Sequence, residues 1–190
     1  MKVAITGGIG SGKSFVCERL HKFGIAVYDC DEAAKRLIRT SNDIQERLSD
    51  LVGAKVFVGG KLQKAVLASF LLHDKASAQA VNDIVHPAVA ADFEHSGYDF
   101  IESAILFDSG FINRVSIDKV ICVTAPIEVR VQRIVYRDQI TPAKAQEWIN
   151  RQLPQSEMLK LSNYEIVNDG QCNLDSQIQA IIDDMAKLSK

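Results

Sequence analysis

The sequence lacks several features that would assign it to common classes of protein. It holds four cysteines in 190 residues, and no two of them form a C-x-x-C pair, which argues against a zinc site and against a disulfide framework. No apolar stretch approaches the roughly 20 residues that span a bilayer, and no secretory leader precedes the first glycines. We therefore predict a cytoplasmic protein with reduced, mostly buried thiols and no membrane contact.

An excess of one charge sign is also missing. The chain has 22 basic and 24 acidic residues and a formal net charge of -2, so it offers no global attraction to nucleic acid or to an anionic membrane. Internal repeats and low-complexity tracts are absent from the sequence as well. We expect one main domain over residues 1–190, no nucleic-acid partner and no obligatory protein partner, and any phosphate binding must be local.

The most informative segment is a glycine-rich loop at residues 7–14, which satisfies the phosphate-loop pattern G-x-x-x-x-G-K-[ST]. An apolar strand-like run at 3–5 precedes it and a helical pattern at 15–23 follows, so a chance glycine-rich turn is the poorer interpretation. Lys13 is predicted to reach the β- and γ-phosphates, and the Ser14 hydroxyl to ligate Mg²⁺. The predicted nucleotide contacts are Gly8, Ile9, Gly10, Ser11, Gly12, Lys13, Ser14 and Phe15.

Strands and helices are predicted to alternate along the chain. Strand patterns occur at 25–28, 100–101, 104–107, 119–123 and 164–167, and helical patterns occur at 32–38, at 127–138, after Thr141-Pro142 and near the carboxyl terminus. This order predicts an α/β fold of the P-loop NTPase type, a mostly parallel sheet flanked by helices, with ligands at the carboxyl ends of the strands.

A largely helical stretch interrupts this alternation. Residues 43–93 have a helical pattern apart from 56–60, which is typical of a turn between helices. We predict a helical substrate-binding insertion at about 32–93. A second helical segment, at about 136–153, is predicted to act as a lid.

Two aspartates follow the second predicted strand. Asp29 and Asp31 then stand at the edge of the sheet where the glycine-rich loop opens. Phosphoryl transfer to an alcohol needs a carboxylate that orients the hydroxyl and accepts its proton. We predict that Asp31 is this base and that Asp29 supports the metal or its waters, while the alternative is that one of them caps the following helix.

Three arginines share one side of the helix at 127–138, namely Arg130, Arg133 and Arg137. A guanidinium chelates phosphate oxygens and stabilises charge on a moving phosphoryl group. Arg137 lies nearest the following turn and is the predicted catalytic arginine, although an ordinary solvated basic face remains the alternative.

His86 and Asn168 are weaker candidates. A lone histidine is more often structural than functional. Asn168 opens the loop after the last predicted strand, where the chain could meet an adenine ring, although Asn-Gly-type loops are usually plain turns.

Together these residues resemble the dephospho-coenzyme A kinase family, which phosphorylates the 3′-hydroxyl of a ribose with ATP. The likeness spans nearly the whole chain. Its parts are residues 6–14, Asp29-x-Asp31, His86-Pro87, Leu106-Phe107, Arg133 with Arg137, Gln152, and Asn168-x-Gly170. Phe15 replaces a Thr that is common in the family, but it retains the backbone N–H that would face a phosphate.

The resemblance implies ATP with Mg²⁺ as donor and dephospho-coenzyme A as acceptor. It implies catalytic roles for Asp31, Lys13 and Arg137, nucleotide binding by Asn168, and substrate binding by Asp29, Asp31 and His86. Another small-molecule kinase of this fold, such as a nucleoside monophosphate kinase, is the main alternative. A nucleotide-sensing module is a further one, whereas a guanine-nucleotide switch should carry an N-K-x-D motif that the sequence lacks.

Overall fold

The computed structural model describes residues 1–188 of the chain. Within them the chain forms two compact units. The first comprises Met1–Tyr28, Tyr98–Ile112 and the chain from Ser116 onward, and the second comprises Asp29–Gly97 and Asn113–Val115.

Strands and helices alternate over much of the described chain. The strands are β1 (Val3–Thr6), β2 (Val27–Asp29), β3 (Phe57–Val58), β4 (Lys61–Leu62), β5 (Phe100–Glu102), β6 (Lys119–Thr124) and β7 (Tyr164–Val167). The helices are α1 (Lys13–Lys22), α2 (Cys30–Thr40), α3 (Asn42–Val52), α4 (Lys64–Leu71), α5 (Lys75–His95), α6 (Ile127–Asp138), α7 (Pro142–Asn150), α8 (Gln155–Lys160) and α9 (Leu174–Leu188).

The main sheet has the strand order β2-β5-β1-β6-β7. β1 pairs in parallel with β5 and β6, and β6 pairs in parallel with β7. The register places Ile5 of β1 opposite Glu102 on one side and opposite Ile121 on the other. The predicted α/β class, a mostly parallel sheet flanked by helices, is confirmed. Because β1, β6 and β7 run in one direction, the segments that follow them emerge at the same edge of the sheet.

An apolar core joins this sheet to α1 and α9. Val3 and Ile5 of β1 are fully buried, and they belong to one cluster with Val16 and Leu20 of α1 and Ile178 of α9. Burial of each such side chain stabilises the fold by about 1.5–3 kcal/mol. The core therefore fixes both β1 and α1, between which the glycine-rich loop is held.

A smaller cluster joins α6 to α7. Ile134 of α6 packs with Ala145 and Ile149 of α7. The Thr141 side chain caps α7 by accepting a hydrogen bond from the Lys144 amide at 3.2 Å, as the sequence predicts. The role of this segment as a lid stays a prediction.

The second unit is mainly helical. Its longest helix, α5, packs against α2, α3 and α4, and it buries Val85, Val89 and Phe93. The Gly59-Gly60 turn joins β3 to β4 in a two-stranded antiparallel hairpin. The role of this unit in substrate binding stays a prediction.

Three local expectations differ from the structure. Residues 104–107 form a turn rather than a strand. The apolar side chain of Leu106 is fully buried from within this turn. The predicted turn at 56–60 contains β3 and the Gly59-Gly60 turn, and β4 follows it to complete the hairpin. α8 was not predicted, since its six residues include a single fully buried apolar side chain, Met158.

Two general expectations concern membranes and thiols. Within residues 1–188 no helix is long and apolar enough to cross a membrane. No disulfide joins the cysteines of this part of the chain. Cys30 and Cys122 are buried, Cys17 is half-buried and Cys172 is exposed.

Candidate active site

The glycine-rich loop needs its glycines for both conformation and space. Gly7, Gly10 and Gly12 have φ values of 149°, 80° and 88°, a region that other residues rarely adopt. A Cβ atom at Gly7 would clash with the carbonyl oxygen of Val123, and one at Gly12 would clash with the side-chain amide of Asn168. The loop is therefore packed closely against the segments that end β6 and β7.

The loop and the start of α1 present a group of available peptide N–H groups. Those of Gly10, Gly12, Ser14 and Phe15 donate to no protein acceptor within residues 1–188. α1 begins at Lys13, so the positive end of its dipole adds to these donors. Such an arrangement binds phosphate oxygens.

Two other predicted phosphate contacts are engaged within the protein. The Ile9 N–H donates to Oε1 of Gln152 at 2.7 Å, and the Ser11 N–H donates to the carbonyl oxygen of Gly8 at 3.1 Å. The Ser11 hydroxyl is buried without a hydrogen-bond partner among the described residues. Phosphate contacts by Ile9 and Ser11 stay predictions, and they would require these amide hydrogen bonds to be exchanged.

Lys13 lies over the loop that it follows. Its Nζ donates to the carbonyl oxygen of Gly7 at 2.9 Å and lies 3.9 Å from a carboxylate oxygen of Glu102. Its side chain is only 10% exposed. The ammonium group therefore lies at the loop. Its contact with the β- and γ-phosphates stays a prediction, in which a phosphate oxygen would compete with the Gly7 carbonyl oxygen for it.

Asn168 and Arg133 hold the loop from the other side. Asn168 is buried, and its Nδ2 donates to the carbonyl oxygen of Ser11 at 2.9 Å. Nη1 of Arg133 donates to the same oxygen at 3.1 Å and to that of Gly10 at 3.3 Å. The Asn168 side chain thus contacts the loop backbone and accepts a hydrogen bond from Nη2 of Arg133 at 3.4 Å, and its contact with a nucleotide stays a prediction.

Arg137 has a different partner. Its Nε and Nη2 donate to the two carboxylate oxygens of Asp138, at 3.0 Å and 2.7 Å. This hydrogen bonding raises the pKa of Arg137 above its ordinary value, although burial opposes the shift. A catalytic role for Arg137 stays a prediction and would require the Asp138 contact to be given up.

The two candidate aspartates differ in their local role. Asp29 is the N-cap of α2, because its Oδ1 accepts a hydrogen bond from the Glu32 amide at 2.9 Å. The capping alternative therefore holds for Asp29. Asp31 lies exposed in the first turn of α2, and its role as base stays a prediction. Within residues 1–188 no cluster of three or more acidic, His or Cys side chains is arranged for a metal ion.

His86 is buried within the second unit. It lies on α5 before Pro87 and is 9% exposed. Burial lowers the pKa of His86, and the nearby charge of Arg114 lowers it further, against a smaller opposing effect of Asp83. A buried ring that resists protonation fits a structural role, and substrate binding by His86 stays a prediction.

A depression lies beside the loop, between the start of α1 and the segment that follows β7. Its volume is about 290 Å³, and its lining includes Phe15, Arg19, Asn168 and Asp175. The Arg19 guanidinium lies 5.1 Å from the centre of the Phe15 ring and pairs with Asp175 at 3.1 Å. This depression places an aromatic ring beside the amides at the start of α1 that have no protein acceptor within residues 1–188.

Sequence reasoning missed the importance of Arg130 and Gln152. Both contact Ile9, from positions 121 and 143 residues further along the chain. Arg130 was visible as part of the arginine stripe and Gln152 as part of the family resemblance. Neither signal indicates which loop atom the side chain reaches.

Comparison with known proteins gives the family. The sequence profile described as dephospho-CoA kinase matches residues 1–173. The chain belongs to the dephospho-CoA kinase family. The chain is 41% identical to a dephospho-CoA kinase of Bacteroides fragilis over 189 residues, which cover 96% of this chain and 91% of that protein.

Solved structures agree with the fold described above. The protein TT1252 from Thermus thermophilus aligns with a TM-score of 0.80 and 28% identity, over 99% of this chain and 97% of that one. A dephospho-CoA kinase from Campylobacter jejuni aligns over 100% of both chains with a TM-score of 0.68 and 21% identity, which supports the fold alone. The P-loop kinase fold predicted from the sequence is thereby confirmed.

Proposed function

We propose that this protein transfers the γ-phosphoryl group of ATP to the ribose 3′-hydroxyl of dephospho-coenzyme A, giving coenzyme A and ADP. The observation that carries the proposal is the phosphate loop itself, in a chain that belongs to the dephospho-CoA kinase family. Four loop and first-turn amides have no protein acceptor within residues 1–188. Phosphate oxygens are the natural acceptors for such a group.

The donor site is built from unit-one residues. The amides of Gly10, Gly12, Ser14 and Phe15 receive the phosphates. Lys13 moves from the Gly7 carbonyl oxygen to the β- and γ-phosphates, where its charge stabilises the transferring group. The depression beside Phe15 is the place we assign to the nucleoside.

Mg²⁺ fits the residues at the start of α1. The Ser14 side chain is exposed, and its hydroxyl has no hydrogen-bond partner in the described part of the chain. Mg²⁺ usually takes one or two protein oxygens together with phosphates and waters, so Ser14 would hold it, with Asp29 supporting its waters. When bound, the ion neutralises charge on the phosphates.

Asp31 is the proposed general base. It accepts the proton of the 3′-hydroxyl as the oxygen attacks the γ-phosphorus, while the bond between that phosphorus and the bridging oxygen breaks and ADP leaves. Arg137 exchanges Asp138 for the transferring phosphoryl oxygens, which a guanidinium binds with two donors. Contacts of Asp29 and His86 with the acceptor complete the proposal.

The test is a product analysis. The protein is incubated with ATP, Mg²⁺ and dephospho-coenzyme A, and the product is identified by mass and by the position of the new phosphate. We expect one phosphate on the 3′ oxygen and one ADP per product. A panel of nucleoside monophosphates serves as competing acceptors, and preferential transfer to any of these would overturn the proposal. A Lys13→Ala variant, expected to be inactive, controls for contaminating kinases.

The cytoplasmic location stays a prediction alongside this function. Cell fractionation with an antibody to the chain would test it, and recovery of the protein outside the cytoplasmic fraction would contradict it.

A further inference from the structure

A buried arginine lies directly against the phosphate loop. Arg130 of α6 is 4% exposed, and its Nε donates to the carbonyl oxygen of Ile9 at 2.9 Å. The N–H of the same Ile9 donates to Oε1 of Gln152 at 2.7 Å. Both backbone polar groups of one loop residue are therefore held by side chains from distant parts of the sequence.

The packing around this contact is tight. A Cβ atom at Gly8 would clash with the Arg130 guanidinium and would lie 3.3 Å from Oε1 of Gln152. A Cβ atom at Gly10 would lie 2.7 Å from the carbonyl oxygen of Arg130. Arg130 and the start of α6 thus occupy the space that side chains at positions 8 and 10 would need. The close approach of loop and helix therefore depends on glycine at both positions.

The Arg130 guanidinium has no carboxylate partner within residues 1–188. The one hydrogen bond that the Arg130 side chain makes within residues 1–188 is the contact with Ile9. A buried guanidinium without a counter-charge is costly unless another interaction compensates for the lost water. The structure offers two compensations. The guanidinium donates a hydrogen bond to the loop, and its positive charge attracts an incoming polyphosphate.

We propose that Arg130 and Gln152 are positioning residues, which hold Ile9 so that the phosphate loop keeps the form that receives the donor's phosphates. They act through the Ile9 peptide and do not touch the transferred group. The inference rests on the proposed use of ATP, but it concerns residues outside the proposed catalytic set of Asp31, Lys13 and Arg137.

Two substitutions test the two contacts separately. Arg130→Met keeps an unbranched apolar stem but removes the donor and the charge, and Gln152→Leu keeps a side chain of similar size but removes the acceptor. We expect each variant to bind ATP about tenfold more weakly, since a hydrogen bond to a charged or buried group is worth roughly 1.4 kcal/mol or more. Calorimetric titration with ATP and Mg²⁺, without acceptor, measures this directly.

Steady-state kinetics distinguish positioning from general damage. We expect a raised KM for ATP, a kcat at saturating ATP within about threefold of the unaltered enzyme, and an unchanged KM for dephospho-coenzyme A. The double variant should lose less affinity than the product of the two single losses, because both side chains act on one peptide group. Multiplying losses would contradict this shared action.

Arg130→Lys separates charge from geometry. Lysine keeps the positive charge, but its ammonium lies one bond further along the side chain than Nε and lacks the fixed guanidinium geometry, so we expect this variant to hold Ile9 less well and to bind ATP more weakly than the unaltered protein. Binding as tight as that of the unaltered protein, in a variant whose crystal structure shows no hydrogen bond between Nζ and Ile9, would overturn the positioning role, because charge alone would then suffice. Gln132→Ala, an exposed change on the same helix, is the matched control and should bind ATP normally.

The outcomes also separate this inference from the proposed function. Failure of the unaltered protein to bind ATP would overturn the proposed function. Normal ATP binding by the unaltered protein together with normal binding by both Arg130→Met and Gln152→Leu would overturn the positioning role alone. If Arg130→Met does not fold, as judged by thermal unfolding, Gln152→Leu decides the question by itself.

Discussion

The loop glycines allow a residue-level test in which conformation and contact are separated. Gly12 and Gly24 have similar positive φ values, 88° and 76°, but a Cβ atom meets the Asn168 side chain at Gly12 and nothing within 4 Å at Gly24. Gly24→Ala should therefore show the backbone cost alone, about 1–2 kcal/mol in the free energy of unfolding. Gly12→Ala should cost more and should also abolish ATP binding.

Denaturant unfolding and calorimetric titration with ATP measure the two effects. Gly24→Ala lies outside the loop and should bind ATP normally, so it is the control for strain. Equal ATP affinity in the two variants would contradict the close packing of the loop against Asn168.

Asp31 is the residue on which the proposed chemistry depends. Replacement by Asn keeps the shape but removes the proton acceptor, so we expect kcat to fall by about 10²–10⁴-fold. Affinity for ATP should stay within about twofold, because the proposed donor contacts are made by the loop. Single-turnover kinetics and ATP titration measure the two quantities.

Asp50→Asn is the matched control for this substitution. Asp50 is an exposed aspartate on α3 of the same unit, and its replacement should leave turnover unchanged. An unaltered rate in the Asp31→Asn variant would remove Asp31 from the mechanism without touching the family assignment.

The buried His86 of helix α5 allows a test of how the stability of this element depends on pH. Burial lowers its pKa below the ordinary value of 6.5, with Arg114 opposing and Asp83 favouring protonation. Above about pH 6.5 the ring is neutral in both the folded and the unfolded state. Below that pH the unfolded chain takes up a proton that the folded ring resists, so the free energy of unfolding falls, by at most about 1.4 kcal/mol per pH unit.

Denaturant unfolding between pH 7 and pH 5 measures this slope. We expect His86→Gln to reduce the slope of the free energy of unfolding against pH, even if it also changes the free energy of unfolding at pH 7. His95→Gln, an exposed change on the same helix, should leave the slope as it is. An identical slope in the His86 variant and the unaltered protein would show that the buried ring does not couple folding to pH.

Elements with a strong local pattern were predictable from the sequence. β7 and α6 have the predicted bounds, because each is a continuous periodic segment with clear ends. The turn at 104–107 was mistaken for a strand because an apolar run of four residues reports burial and does not report backbone conformation. The β3–β4 hairpin has strands of two residues, which are too short for alternation to be recognised.

For the whole molecule, the sequence identified the phosphate loop but not its supports. The loop pattern lies within eight consecutive residues, so it is readable from local sequence. Arg130, Arg133 and Gln152 reach the loop from more than 120 positions away, and only folding brings them there. Arg137 was predicted as the catalytic arginine because it lies nearest a turn. Its position in the sequence does not reveal its hydrogen bonds with Asp138.

The most direct test of the account is a crystal structure of the protein with a non-hydrolysable ATP analogue, Mg²⁺ and dephospho-coenzyme A. The account predicts the β- and γ-phosphates on the amides of the glycine-rich loop and the ribose 3′ oxygen within about 3.2 Å of an Asp31 carboxylate oxygen. A γ-phosphate bound away from the loop, or a 3′ oxygen remote from Asp31, would contradict it.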